Sequence, residues 1–371
     1  MTVSATDHRH MSRALELAKG GIYTTDPNPS VGCVIVASSG ETVGEGFHRR
    51  AGELHAEPLA IAAAGERARG ATAYVTLEPC NHHGRTPPCA ETLIAAGVTR
   101  VVAATEDPNP TVSCRGYEKL RAAGIEVDAG VLEAEAIALN RGYTQRMRCG
   151  RPWVRVKIAT SIDGRTALAN GVSKWITGPE ARADVHRWRA RSSAILTGSG
   201  TILADDPAMN ARPAGLTDDE FVQPLRVVVD TRLSIRPEAK LMQVDSPLLI
   251  MHSVGESDAQ QALAARGANI EQLAAGKGGV DLASLMQRLG GMAINDLWVE
   301  AGARLNGNLL EAGLIDELIV YQAPAVLGGD GQAMFGNTGM SDMQQRYNFS
   351  LQEVRQIGAD LRLHYRLPEQ D

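Results

Sequence analysis

Hydrophobic positions along this chain fall into two successive series, each alternating between short apolar runs and amphipathic stretches. Met11, Ala14, Leu15 and Ala18 share one side of a helical wheel, so residues 11–18 are expected to form an amphipathic helix. The apolar run over 31–38 predicts a buried strand, and Ser39-Gly40 turns the chain into a second strand over 41–48. An Ala-rich helix follows from His55 to Ala64, closed by Gly65, and then a strand over 71–77. A short helix starts at Cys89 and stops at Gly97, a strand covers 98–105, and a helix runs from Tyr117 to Ala123 before a last segment over 125–131. Strands alternating with helices of this length predict a largely parallel sheet covered on both faces.

From Leu132 to Pro152 the pattern loosens into a basic segment with two glycines that ends on a proline, which places a domain boundary near residue 150. The second series then begins. Strands are predicted over 153–160, 193–200, 224–231, 246–253, 294–302 and 316–324, with helices over 179–192, 281–291 and 308–313. The expected division is 1–150 and 151–371, two α/β domains without internal repeats or low-complexity segments.

The 371 residues are 44% hydrophobic and 22% charged, as in a globular protein, and two domains suit that length. The formal net charge of -6 argues against a general nucleic-acid binder, although a few local arginines still suit a phosphorylated small molecule. No apolar run approaches a membrane span, and the N-terminal stretch lacks the apolar core of a signal peptide, so a cytoplasmic protein is expected. All five cysteines lie within the first 149 residues, and without a secretion signal a disulfide framework is not expected. Cys33 reads as a small buried residue, and Cys114 and Cys149 as thiols without a role.

Cys80 and Cys89 differ, because they accompany His55-Ala56-Glu57 and Pro79. One imidazole and two thiolates make a three-ligand zinc set that leaves a position for water. Glu57, two residues past the histidine, is placed to shuttle that water's proton. The combination fits the zinc nucleobase-deaminase signature H-x-E…P-C-x-x-C, except that eight residues separate the cysteines here. The competing readings are a structural zinc site completed by His82 or His83, or no metal at all.

The longer spacing, in EPCNHHGRTPPC after HAE and DPNPSVGCVIV, resembles the deaminase half of the bifunctional riboflavin-biosynthesis deaminase-reductases. The resemblance implies zinc on His55, Cys80 and Cys89, with Glu57 as the catalytic proton shuttle. It also places Asn28 at the pyrimidine and the His82–Arg85 loop at the ribose phosphate, though an Asn in a D-P-N-P turn is ordinarily a turn former.

Beyond residue 150 there is no nucleophile-base pair, and G-S-G-T-I-L is not a dinucleotide fingerprint. The ordered series KIATSIDGRTAL, NGVSKWITG, RWRARSSAILTGSGTILADDP, VVVDTR and EAGARLNGNLLEAGLIDELIVYQAP resembles the same family's reductase domain. The implied fold is a three-layer cytidine-deaminase-like domain followed by a dihydrofolate-reductase-like α/β domain. NADPH contacts are implied at Ala159, Trp175, Thr201, Asp205, Thr231 and the loop Gly302, Ala303, Arg304, Leu305, Asn306, Gly307 and Asn308. Substrate contacts are implied at Ser173, Arg189, Met209, Arg212 and Glu300. Read alone, Arg189 is one of several charges on a solvated helix, and Trp175 an ordinary packing residue.

The family implies two steps in riboflavin biosynthesis on a phosphorylated pyrimidine, zinc-dependent deamination and then NADPH-dependent reduction. It also implies a homo-oligomer, dimer or tetramer, built through the reductase domains, with neither a nucleic-acid nor a membrane partner. The rival reading is a zinc nucleobase or tRNA deaminase with a non-catalytic appended domain.

Overall fold

The computed structural model describes residues 4–81, 87–110, 113–254, 258–336 and 338–368. The chain divides into two compact units, Met1–Gly150 and Arg151–Asp371.

The first unit opens with α1 (Ala5–Ala18), whose N-terminus is closed by a reciprocal Ser4–Asp7 capping box. Met11, Ala14, Leu15 and Ala18 are all buried, as their spacing predicts. The chain continues through β1 (Gly32–Val36), β2 (Thr42–Phe47), α2 (Ala56–Ala64), β3 (Thr72–Val75), α3 (Cys89–Ala96), β4 (Arg100–Ala103), α4 (Arg115–Ala122) and β5 (Glu126–Ala129). Strand order is β2-β1-β3-β4-β5. Alternate residues of β1 serve opposite faces: Cys33 and Ile35 pack with the alanines of α2, and Val34 and Val36 pack with α1. The result is a helix–sheet–helix sandwich.

The sheet is mixed rather than largely parallel. β1 runs antiparallel to both β2 and β3, whereas β3, β4 and β5 are parallel. The cause is the Ser39-Gly40 turn, which folds β2 back on β1, after which α2 crosses over to lay β3 on the other side of β1. The loose stretch near the boundary is also more ordered than its pattern implies. It forms α5 (Glu133–Leu139) and α6 (Arg141–Cys149), which bury little beyond Ala136, Gly142 and Tyr143 and so carry almost no periodic signal.

The second unit contains β6 (Trp153–Thr160), β7 (Arg165–Ala167), α7 (Pro179–Ala190), β8 (Ala194–Gly198), α8 (Ser199–Asp205), β9 (Leu225–Val229), β10 (Leu248–His252), α9 (Asp258–Ala264) and β11 (Asn269–Gln272). Next come β12 (Ala275–Gly276), β13 (Gly279–Val280), α10 (Leu282–Gly291), β14 (Asp296–Val299), α11 (Ala303–Glu311), β15 (Glu317–Gln322), β16 (Gln332–Ala333), β17 (Ser350–Ile357) and β18 (Asp360–Arg366). The main sheet has the order β11-β10-β9-β8-β14-β6-β15-β18-β17. From β11 to β15 the neighbours are parallel; the β18–β17 hairpin is antiparallel. Val154, Val156 and Ile158 of β6 enter the core on one face, and Ile195, Trp298 and Tyr321 on the other. Arg155, buried within β6, is neutralised by Asp296 and by Glu317 at 2.6 Å.

Candidate active sites

In the first unit, β3 and two helix starts converge. His55 is the extended N-cap residue of α2, Cys89 is the first residue of α3, and Cys80 follows β3 by a short loop. Their ligand atoms lie within 4.8 Å of one another. His55 Nδ1 is 3.2 Å from Cys89 Sγ and 3.6 Å from Cys80 Sγ, while the Cys89 amide donates to Cys80 Sγ at 3.4 Å. The Cys89 thiol's hydrogen bond, with support from the His55 ring, holds the Cys80 thiol well below the usual thiol range. A nitrogen and two sulfurs this close, one already biased to thiolate, fit a zinc ion with one open coordination position. His82, His83 and Arg85 lie outside the described residues.

Glu57 stands in the first turn of α2 and is only 3% exposed. Burial, reinforced by the negative charge on Cys80, raises its carboxyl to about 7, so near neutrality it can both accept and release a proton. Asn28 Nδ2 lies 3.2 Å from Nε2 of buried His48, whose ring packs edge-on against His55 with centroids 5.3 Å apart. Cys33 is fully buried, and burial, reinforced by the nearby Glu57 carboxyl, pushes its thiol up. Cys114 and Cys149 are exposed.

Sequence reasoning passed over Glu78. Its buried carboxylate accepts from the amides of Asp107, Cys114 and Gly116 at 3.3, 3.0 and 2.9 Å, anchoring that segment beside Pro79-Cys80. An acidic residue beside proline carries no periodic signal of such a role.

The second unit holds a cleft of about 1170 Å³ at the carboxyl ends of β6, β8, β9 and β14, where open α/β sheets bind ligands. Ala159, Trp175, Thr201, Asp205 and Thr231 all line it. Trp175 is 71% exposed and lies under the Arg182 guanidinium at 4.6 Å, so packing does not explain it. Gly302, Ala303, Arg304, Leu305 and Asn308 also line the cleft, but most of the expected loop is helical. Gly302 is the N-cap of α11, without a side-chain cap, which leaves first-turn amides for an anion. Asn306 and Gly307 are buried and do not line the cleft. Asn306 donates to the carbonyls of Ala301 and Met334 at 3.2 and 3.3 Å, and a Cβ on Gly307 would come within 1.9 Å of the Gly336 oxygen. Both hold α11 in place.

Ser173, Arg189, Met209, Arg212 and Glu300 share the same cleft. Met209 is 3% exposed yet held at φ 56, in the left-handed region that non-glycine residues rarely enter. Arg189 is not a solvated helix charge. Its guanidinium grips Glu300 through two bonds of 2.6 and 2.8 Å and donates a third to the Asn210 carbonyl at 2.9 Å. Burial works to raise the Glu300 carboxyl, but Arg189 and Lys157 outweigh it and hold it well below the usual range. Lys157, also in the cleft, was not singled out from the sequence, although a lysine alternating with apolar residues in a central strand was its signal. His186 accepts from the Arg212 amide at 3.1 Å, and burial with both nearby arginines lowers it to about 4.

One chain thus combines a deaminase-type metal site with an α/β reductase-type cleft, which defines a two-site enzyme of small-molecule metabolism. The cytidine and deoxycytidylate deaminase zinc-binding region matches residues 4–105, and the RibD C-terminal domain matches 152–363. The riboflavin biosynthesis protein RibD of Escherichia coli (strain K12) is 48% identical over 366 residues, 96% of this chain and 98% of that protein. The solved RibD of Acinetobacter baumannii, form 1, superposes with a TM-score of 0.91 at 45% identity, covering 97% and 98% of the two chains. A diaminohydroxyphosphoribosylaminopyrimidine deaminase/5-amino-6-(5-phosphoribosylamino)uracil reductase from Thermotoga maritima gives 0.85 at 33% identity, covering 98% and 99%. The chain belongs to the RibD family of bifunctional riboflavin-biosynthesis enzymes, a hydrolase and an oxidoreductase in one polypeptide. The appended-domain alternative falls with the RibD C-terminal match.

Proposed function

We propose that residues 1–150 are the zinc-dependent deaminase and 151–371 the NADPH-dependent reductase. The first substrate is 2,5-diamino-6-(ribosylamino)-4(3H)-pyrimidinone 5′-phosphate, and the final product is 5-amino-6-(5-phosphoribitylamino)uracil. The carrying observation is the convergence of His55, Cys80 and Cys89 within 4.8 Å beside buried Glu57.

His55, Cys80 and Cys89 would hold the zinc, which would supply a water acidic enough to give hydroxide near neutrality. Glu57 would take one proton from the attacking water and give it to the ring nitrogen, then take the remaining proton from the new hydroxyl group and give it to the departing amine. The water oxygen bonds to the carbon that bore the amino group, the C–N bond breaks, and ammonia leaves. In the second unit, the uncapped start of α11 would hold the cofactor diphosphate, and exposed Trp175 lines the same cleft. The Arg189–Glu300 pair, with Lys157 beside it, orients the substrate. NADPH would supply the hydride and solvent the proton that completes the reduction, so the part of these residues is to position the reactants.

We also propose a homo-oligomer, built through the reductase units. What supports it is β17, the outermost strand of the large sheet, which exposes Leu351 and Val354 at 54% and 53%. The five cysteines are all free in this fold, which suits a reducing cytoplasm. Among the described residues no helix is long and apolar enough to cross a membrane.

Glu57→Gln tests the central assignment. The variant is expected to keep stoichiometric zinc, lose deamination by about 10²–10⁴-fold, and still oxidise NADPH when given the deaminated substrate. Near-normal deamination, or loss of the metal, would refute the shuttle.

A further inference from the structure

Helix α6 lies outside the matched zinc-binding region and reads from sequence as a linker. Its N-cap residue, Asn140, makes a contact that linkers do not make. The Asn140 side chain accepts from the Ser30 amide at 2.7 Å and donates to the Ser30 carbonyl at 2.9 Å. A single side-chain amide thus mimics a strand partner for one residue of a loop 110 positions away in the chain. The same helix donates from Arg146 to the Pro27 carbonyl at 3.4 Å. Two residues of one helix therefore hold the loop at points on either side of Asn28.

From Asn28 the contacts lead to the metal ligands. Its amide nitrogen donates to His48 Nε2 at 3.2 Å, and His48 Nδ1 donates to the Leu54 carbonyl at 3.0 Å, which fixes the neutral tautomer. Leu54 precedes His55, and the His48 ring abuts the His55 ring at 5.3 Å. The helix is itself held to the other wall of the site. Tyr143 donates to Asp107 at 2.9 Å, and the Asp107 amide donates to Glu78, two residues before Cys80.

We infer that Asn140 is a positioning residue for the deaminase. Its two bonds to Ser30 fix the 26–30 loop so that Asn28 meets the pyrimidine in one orientation. This rests on the reading of the first unit as the pyrimidine deaminase. A loop held at the correct point places Asn28 before substrate arrives, whereas a released loop must be ordered at each binding event, and displacement of a positioning group by about 1 Å can cost roughly 100-fold.

The test uses the full-length, zinc-loaded protein with Asn140→Ala, Asn140→Asp, Asn28→Ala and the Asn28→Ala/Asn140→Ala double variant. Asn140→Ala is expected to keep its zinc, to reduce supplied deaminated substrate normally, and to lose about 10- to 100-fold in deamination kcat/KM, mainly through KM. In the Asn28→Ala background the same substitution should add little, because coupled residues are not additive. Asn140→Asp keeps the acceptor for the Ser30 amide but sets a carboxylate against the Ser30 carbonyl, so its loss should track that of Asn140→Ala. It also decides the matter if the alanine variant does not fold. Unchanged KM, or effects of Asn28→Ala and Asn140→Ala that simply multiply, would overturn the positioning role while leaving the deaminase intact. A zinc-loaded wild type that fails to release ammonia would instead overturn the deaminase reading, and the inference with it.

Discussion

Arg189 shows how far one side chain's role depends on neighbours distant in sequence. In HRWRARS it is one of several similar charges, and only the fold brings Glu300, 111 residues on, against its guanidinium. Both side chains are mostly buried, at 13% and 14% exposure. The zinc ligands posed no such difficulty, because His, Cys and Cys beside a Glu are chemically unusual in any context. Arg189→Lys keeps the charge but cannot reproduce the two-pronged grip, so Glu300 loses its fixed orientation. The expected outcome is a raised KM for the pyrimidine in the reductase reaction, with NADPH affinity and deamination unchanged. Arg189→Ala leaves buried Glu300 to Lys157 at 3.9 Å and the Trp298 indole at 2.8 Å, and is expected to destabilise the second unit by about 3 kcal/mol, read as earlier thermal unfolding. Normal reduction by the lysine variant would show that the pair is scaffolding and does not orient the substrate.

The strands and helices that sequence patterning placed well are those with a continuous apolar face, such as β1, β6 and α1. Those it missed bury little or bury it unevenly. α5 and α6 bury few of their positions, the N-terminal turns of α11 were read as loop because glycine and asparagine recur in them, and β17 lies almost wholly exposed at the sheet edge. Close approach is another property that apolar periodicity does not display. A Cβ on Gly46 of β2 would meet the Ala56 carbonyl and the Ala60 amide, both at 2.6 Å, so the strand touches the α2 backbone directly. Ala56 stands between His55 and Glu57. Gly46→Ala is therefore expected to push the first turn of α2 outward and to destabilise the first unit by about 1–3 kcal/mol, as overpacking does. Zinc should be lost to a chelator at lower concentration, and deamination should fall while reduction continues. A variant with wild-type chelator resistance and deamination would show that α2 absorbs the methyl group without moving its ligand.

Across the whole molecule, apolar alternation marked two α/β series, and the chemistry separated along the same line, with metal ligands in the first and cleft residues in the second. Quaternary structure is the part that apolar alternation could not reach, because it depends on what the fold leaves uncovered. Among the described residues no strand pairs with the outer edge of β17. The centre of β17 reads Glu353-Val354-Arg355, which is complementary to its own reverse. An antiparallel pairing of two copies about a two-fold axis at Val354 sets each Glu353 opposite Arg355 of the second copy, and Val354 opposite itself. Opposed residues in such a ladder lie about 4.5–5.5 Å apart between Cα atoms, within the span a disulfide needs. Val354→Cys is therefore expected to form a cross-linked dimer under mild oxidation, with the wild type, which carries exposed Cys114 and Cys149, as the control. Arg355→Glu places like charges in opposition and should shift sedimentation toward smaller species at equal concentration. An oligomer that survives Arg355→Glu, together with no cross-link through residue 354, would rule out this edge as the seam.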